Sequence, residues 1–150
     1  MKPKLQIKLG QPSWRLASDE VEAFVTQTGG HIGPVTFQIG GRKIQPYSVA
    51  PWAEEKLDAK LPSILKVLRG DFFCLPFDGN ATPFRGERHP VYGKTANEKW
   101  MLESSAPSEL HLSLKCFIVS PPRWFHNFSS SGKSCRKPKT AVWKTSNGHG

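Results

Sequence analysis

No run in the chain approaches the roughly 18 consecutive apolar residues that a membrane-spanning helix needs, so no membrane partner is expected. The opening MKPKLQIKLGQPSW also lacks the apolar core, roughly 7–15 residues long, of a secretory signal. Cysteine is scarce: Cys74, Cys116 and Cys135 are odd in number, widely separated and part of no CxxC or Cys/His cluster. That spacing gives zinc no ligand set, so no metal is expected, and it fits reduced thiols in a cytoplasmic protein. Without a secretory signal, the glycosylation-type triplets Asn80-Ala81-Thr82 and Asn127-Phe128-Ser129 carry little weight, and Arg69-Gly70-Asp71 is a tripeptide of the kind that recurs by chance. Acidic side chains are missing altogether from residues 115–150, which hold seven Lys/Arg. Residues 1–114 hold fourteen Lys/Arg against twelve Asp/Glu, leaving +2, so the net charge of +9 sits mostly in the tail.

A length of 150 residues suffices for one domain with its own core. Apolar residues make up only 37% of it, with 13 Gly and 13 Pro, which predicts many turns or a poorly ordered part. Residues 1–13 are polar and read as an arm or an edge strand. From Trp14 the pattern turns β-like. Val21, Ala23 and Val25 alternate with Glu22, Phe24 and Thr26, and Gly29-Gly30 makes a turn. HIGPVTFQI and RKIQPY flank Gly40-Gly41, a hairpin signal. AEEKLDAKLPSILKVL is partly helix-like, with Pro62 expected to break it. Lys99–Glu103 and Glu109–Val119 read as further strands, the second placing Leu110, Leu112 and Leu114 on one face. After about residue 115 alternation stops, and the rest reads as an irregular, disordered basic tail.

Residues with chemistry to offer concentrate between Arg69 and Trp100. Arg69, Asp71, Asp78, Asn80, Arg85, Glu87, Arg88, His89, Tyr92 and Asn97 alternate there with turn-formers and aromatics. A short apolar run, FFCLPF, leads into a polar loop and then into the strand-like KWMLE, an arrangement in which loop residues are held by β-structure.

Two pieces of this stretch, RGDFFCLPFDGN and YGKTANEKW, resemble the galactose mutarotase-like superfamily, the aldose 1-epimerases, and most of all its hexose-6-phosphate epimerase branch. Arg69, Gly70, Pro76, Phe77, Gly93, Asn97 and Trp100 fall at the family's positions in order, and the likeness spans roughly residues 14–114. The resemblance implies a mainly β fold, the N-terminal part of a supersandwich. The expected organisation is an arm over 1–13, a partial mutarotase-like domain over 14–114 and an unrelated tail over 115–150. Family members are about twice as long, so the first half of such a protein is expected here. Loss of pattern and of charge balance together near residue 115 suggests an interrupted reading frame.

Mutarotation needs a base for the anomeric hydroxyl proton and an acid for the ring oxygen. The family takes its acid from a His in this half and its base from a Glu in the second half. The His position is Tyr92 here and the family Arg position is Ala96, while His89 lies three residues earlier. A phenol ordinarily titrates near 10 and an imidazole near 6.5, so Tyr92 is the poorer donor at neutral pH. The expected activity is therefore weak or absent, and the candidate catalytic pair is His89 and Tyr92. Candidate sugar contacts are Arg69, whose guanidinium matches a phosphate, with Asn80, Arg88, Asn97 and Trp52. Each also has a plainer role: Arg69 in a salt bridge to Asp71, His89 capping a turn before Pro90, Arg88 solvated. Trp100 reads as core and His31 as structural.

The expected ligand is a hexose or hexose phosphate, with no cofactor. A non-catalytic carbohydrate-binding module is the first alternative. A nucleic-acid role for the tail is the second, because basic residues interleave with Trp124, Phe125, Phe128 and Trp143. Uncovered strand edges would favour self-association.

Overall fold

The computed structural model describes residues 3–76, 79–83, 86–106, 109–114 and, as backbone, 139–144. Five strands form one antiparallel sheet in sequence order: β1 (Gln6–Lys8), β2 (Gln11–Ala17), β3 (Val21–Thr26), β4 (Ile32–Ile39) and β5 (Arg42–Ile44). A second antiparallel sheet joins β6 (Met101–Ala106), β7 (Glu109–Leu114) and β8 (Lys139–Lys144). Between the sheets in the chain lies one short helix, α1 (Ser63–Val67). The mainly β expectation therefore holds for the described residues, and no helix among them is long and apolar enough to cross a membrane.

The hairpin expected at Gly40-Gly41 forms with φ of 55° and 75°, values that L side chains avoid and the two-residue turn requires. Its arms pair Ile39 with Arg42 and Phe37 with Ile44. The arm expected over residues 1–13 supplies β1 and the start of β2, so it belongs to the sheet.

Pro62 does not interrupt a helix; it stands immediately before α1, where a fixed φ and a missing N–H are harmless. The residues expected to be helix-like ahead of it form turns instead, through Ala53 N–H to Ala50 O and Glu55 N–H to Trp52 O. The tail also departs from the irregular expectation at one place. Lys139–Lys144 pairs along its whole length with β7, from Leu114↔Lys139 to Glu109↔Lys144. Thr-Ala-Val-Trp is β-prone but too short to stand out from its basic surroundings. Residues 115–138 and 145–150 lie outside the described residues.

Both sheets feed one core. Trp14 and Leu16 of β2, Ala23 and Val25 of β3 and Val35 of β4 cluster with Trp100 and with Leu110, Leu112 and Leu114 of β7. The alternation read in β7 thus places its three leucines inward, each contributing about 2 kcal/mol by burial. The coverage is incomplete at the margins, where Ile7, Ile39 and Ile44 remain exposed.

Candidate functional site

The Arg69–Trp100 stretch is irregular, and isolated bridges fix it, one of them to Ile32 of β4. Val49 bridges Arg69, Ile32 bridges Asp71, Leu75 bridges Gly93 and Thr28 bridges Lys99. Polar side chains complete the fixation. Thr95 Oγ1 donates to Phe73 O and accepts from Leu75 N–H at 2.7 Å. Trp100, buried as expected, donates its indole N–H to Thr95 O at 2.9 Å. Gly93 has φ of 76°, and a Cβ there would lie 2.1 Å from Pro76 O, so only glycine lets the two motif segments meet.

The loop over residues 79–97 carries most of the candidates. Asn80 clamps its base: the side-chain oxygen accepts from His89 N–H, and the amide donates to Glu87 O at 2.8 Å. Asn97 clamps the other arm, donating to Val91 O at 2.9 Å and Gly93 O at 2.8 Å while accepting from Ile64 N–H at 3.0 Å. Arg88 is exposed and donates to Ala81 O at 3.2 Å. His89 is half-buried, and its Nδ1 makes no hydrogen bond. That nitrogen lies 3.8 Å from the Glu87 carboxylate, which also holds the Lys94 ammonium at 2.6 Å. Tyr92 occupies the bend between the clamps with φ of 62° and is 41% exposed. Its ring meets Phe72 edge-on at 5.5 Å, and Phe72 stacks on His31 at 4.3 Å.

Two expected contacts stand apart from this loop. Arg69 is 1% exposed and spends its guanidinium on three backbone carbonyls, Val67 O at 3.0 Å, Lys8 O at 3.0 Å and Leu9 O at 3.1 Å. Neither of its sequence-based roles describes that arrangement: it pins the β1–β2 turn to the segment after α1. Burial lowers its pKa below the ordinary guanidinium range. Trp52 donates its indole N–H to Leu65 O at 2.8 Å and so anchors α1. Asn80, Arg88, His89, Tyr92 and Asn97 share one loop, and Arg69 and Trp52 serve the frame behind it.

Sequence reasoning missed the Glu87–Lys94 ion pair and the His31–Phe72–Tyr92 column. Neither has a periodic signal, because the partners are brought together by loop and bridge geometry. His31 was expected to be structural, and it is fully buried, with Nε2 3.2 Å from Ala96 O. Burial pulls its pKa from 6.5 to about 4; the Arg69 charge adds to that, and the backbone groups of Ala96 and Arg69 oppose it. Cys74 is half-buried, and burial raises its thiol pKa.

A cleft of about 540 Å³ opens beside Asn97, between Thr28, Ser63, Glu98, Lys99 and Met101. Its rim offers hydroxyl, amide and charged groups of the kind that bond sugar hydroxyls, and no candidate other than Asn97 lines it. Among the described residues no group of three or more His, Cys, Asp or Glu is placed to hold a metal ion. Comparison with protein families, with curated proteins and with solved structures finds no match for this chain.

Proposed function

We propose that the chain is an aldose 1-epimerase-like carbohydrate protein, directed at a hexose or hexose phosphate and weakly active at most. The observation that carries this reading is the ordered set Arg69-Gly70, Pro76, Gly93, Asn97 and Trp100, of which Pro76, Gly93 and Asn97 meet in one place. Leu75, beside Pro76, bridges Gly93, Asn97 bonds Gly93 O, and Trp100 bonds Thr95 O. Two antiparallel sheets sharing a core support the sandwich form that goes with it.

Ring opening requires one group to protonate the ring oxygen while another removes the anomeric hydroxyl proton. His89 is the second candidate acid, three residues before Tyr92 on the same loop. The Glu87 carboxylate lies 3.8 Å from its Nδ1 and is held by the Lys94 ammonium at 2.6 Å. Tyr92 stands at the family's acid position, exposed and positioned by Phe72. With Arg69 committed to carbonyls, the contact to a sugar phosphate falls to the exposed Arg88.

The test is anomer interconversion of hexoses and hexose phosphates, followed by exchange NMR or polarimetry. The parent is expected to be slow, and Tyr92→His to be faster by at least about tenfold, in the range that a positioned general acid contributes. Robust parent turnover that is abolished by His89→Ala would move the acid to His89. Absence of both turnover and saturable sugar binding in parent and Tyr92→His would sink the proposal. Binding without turnover in either protein corresponds to the alternative, a non-catalytic carbohydrate-binding module, which the phenol at position 92 favours.

A further inference from the structure

The margins of the five-stranded sheet differ in how they treat solvent. β5 carries Arg42 and Lys43 and runs on to Pro46, and charge and proline both discourage another strand from adding there. β1 carries Lys8 and follows Pro3-Lys4, but its centre is apolar. Ile7 is 72% exposed and Leu5 43% exposed. Ile7 lies opposite Pro12, and Pro12 shares a strand face with Trp14 and Leu16. Ile7 therefore stands on the core face, beyond the point where that face is covered.

The backbone of β1 is directed outward at the same residue. Pro12 has no N–H, and its carbonyl accepts from Gln27 N–H at 2.8 Å, on the β3 side. In an antiparallel ladder, opposite residues alternate between bonded and non-bonded pairs, so Ile7↔Pro12 is a non-bonded pair. The Ile7 N–H and C=O consequently point away from β2, toward the open edge.

We infer that β1 pairs with β1 of a second copy of this chain, antiparallel about a two-fold axis at Ile7, to make a continuous ten-stranded sheet. In that register Ile7 faces the partner's Ile7 with reciprocal N–H to C=O bonds. Gln6 falls opposite the partner's Lys8, so no like charges stand directly opposite one another. The apolar face that now ends at Ile7 runs on into its counterpart. The contact rests on a three-residue strand and a few apolar side chains, which puts it at the small end of specific interfaces. The dimer is accordingly weak and concentration-dependent, and the pairing is independent of the sugar reading.

Sedimentation equilibrium of the full chain over a concentration series tests this. Ile7→Lys sets two lysines face to face and is expected to raise the dimer dissociation constant at least about tenfold. Gln6→Glu places a carboxylate opposite Lys8 on both sides of the axis. It should tighten the dimer several-fold at low salt and lose that gain at high salt, as solvent-exposed ion pairs do. A tightening cannot arise from misfolding, so it reads the register directly. Ile44→Lys, on the opposite edge, should leave association unchanged. A parent that stays monomeric at every concentration overturns the inference, as does a dimer that Ile44→Lys dissociates and Ile7→Lys does not. A dimer that Gln6→Glu leaves unaltered overturns the register.

Discussion

Acid should unfold this protein through His31. The ring is fully buried, lies face to face with Phe72 at an interplanar angle of 17°, and leaves Nδ1 without a hydrogen bond. Protonation there would bury a second positive charge near Arg69. The folded pKa of about 4 lies below the 6.5 of an exposed imidazole, so the unfolded chain takes up the proton more readily. Stability from this group is complete above pH ~6.5 and declines as pH falls toward 4. At about 1.36 kcal/mol per pH unit, the full effect is roughly 3 kcal/mol, and about 2 kcal/mol of it is gone by pH 5. Against a total of about 5–15 kcal/mol for an ordinary domain, that loss is large. The assay is urea unfolding of parent and His31→Gln between pH 8 and pH 4.5. Gln offers Ala96 O a donor and does not titrate, which separates His31 from His89 and His111. The parent should lose stability steeply below neutrality and the variant only gradually. Parallel curves for the two proteins would refute the reasoning.

Three further outcomes follow from packing. Arg69→Met removes the donor to Lys8 O and Leu9 O at the β1–β2 turn and to Val67 O and should cost about 3 kcal/mol in denaturant titration, with Arg69→Lys recovering less than half because an ammonium cannot span all three. Leu112→Ala empties a fully buried position shared by both sheets and should cost about 3 kcal/mol by the same measurement. Gly93→Ala should cost at least about 2 kcal/mol in a thermal or urea melt, since a Cβ cannot coexist with Pro76 O in this backbone.

The strands were readable where one face is apolar and the other is not. Leu110, Leu112 and Leu114 announced β7, and two adjacent glycines announced the β4–β5 hairpin. α1 was misjudged because proline suits the first turn of a helix as well as it ends one. β8 was missed because its strand character depends on pairing with β7, a partner remote in the chain. For the site, the residues that share the 79–97 loop were identifiable from their crowding in sequence. The roles of Arg69 and Trp52 were not, since a guanidinium or an indole N–H looks the same in sequence whether it meets a ligand or a carbonyl. Those two choices are settled by the approach of segments as far apart as Leu9 and Arg69.

The place of β8 bears on the order in which the molecule assembles. β6 and β7 are joined by a tight connection and can zip together locally. The other side of β7 must wait for a strand that lies beyond residues 115–138. During synthesis β7 therefore emerges with one bare edge and keeps it until Lys139–Lys144 has been made. A nascent chain stopped at residue 114 would keep its three inward leucines and still present an unpaired row of amides to its neighbours.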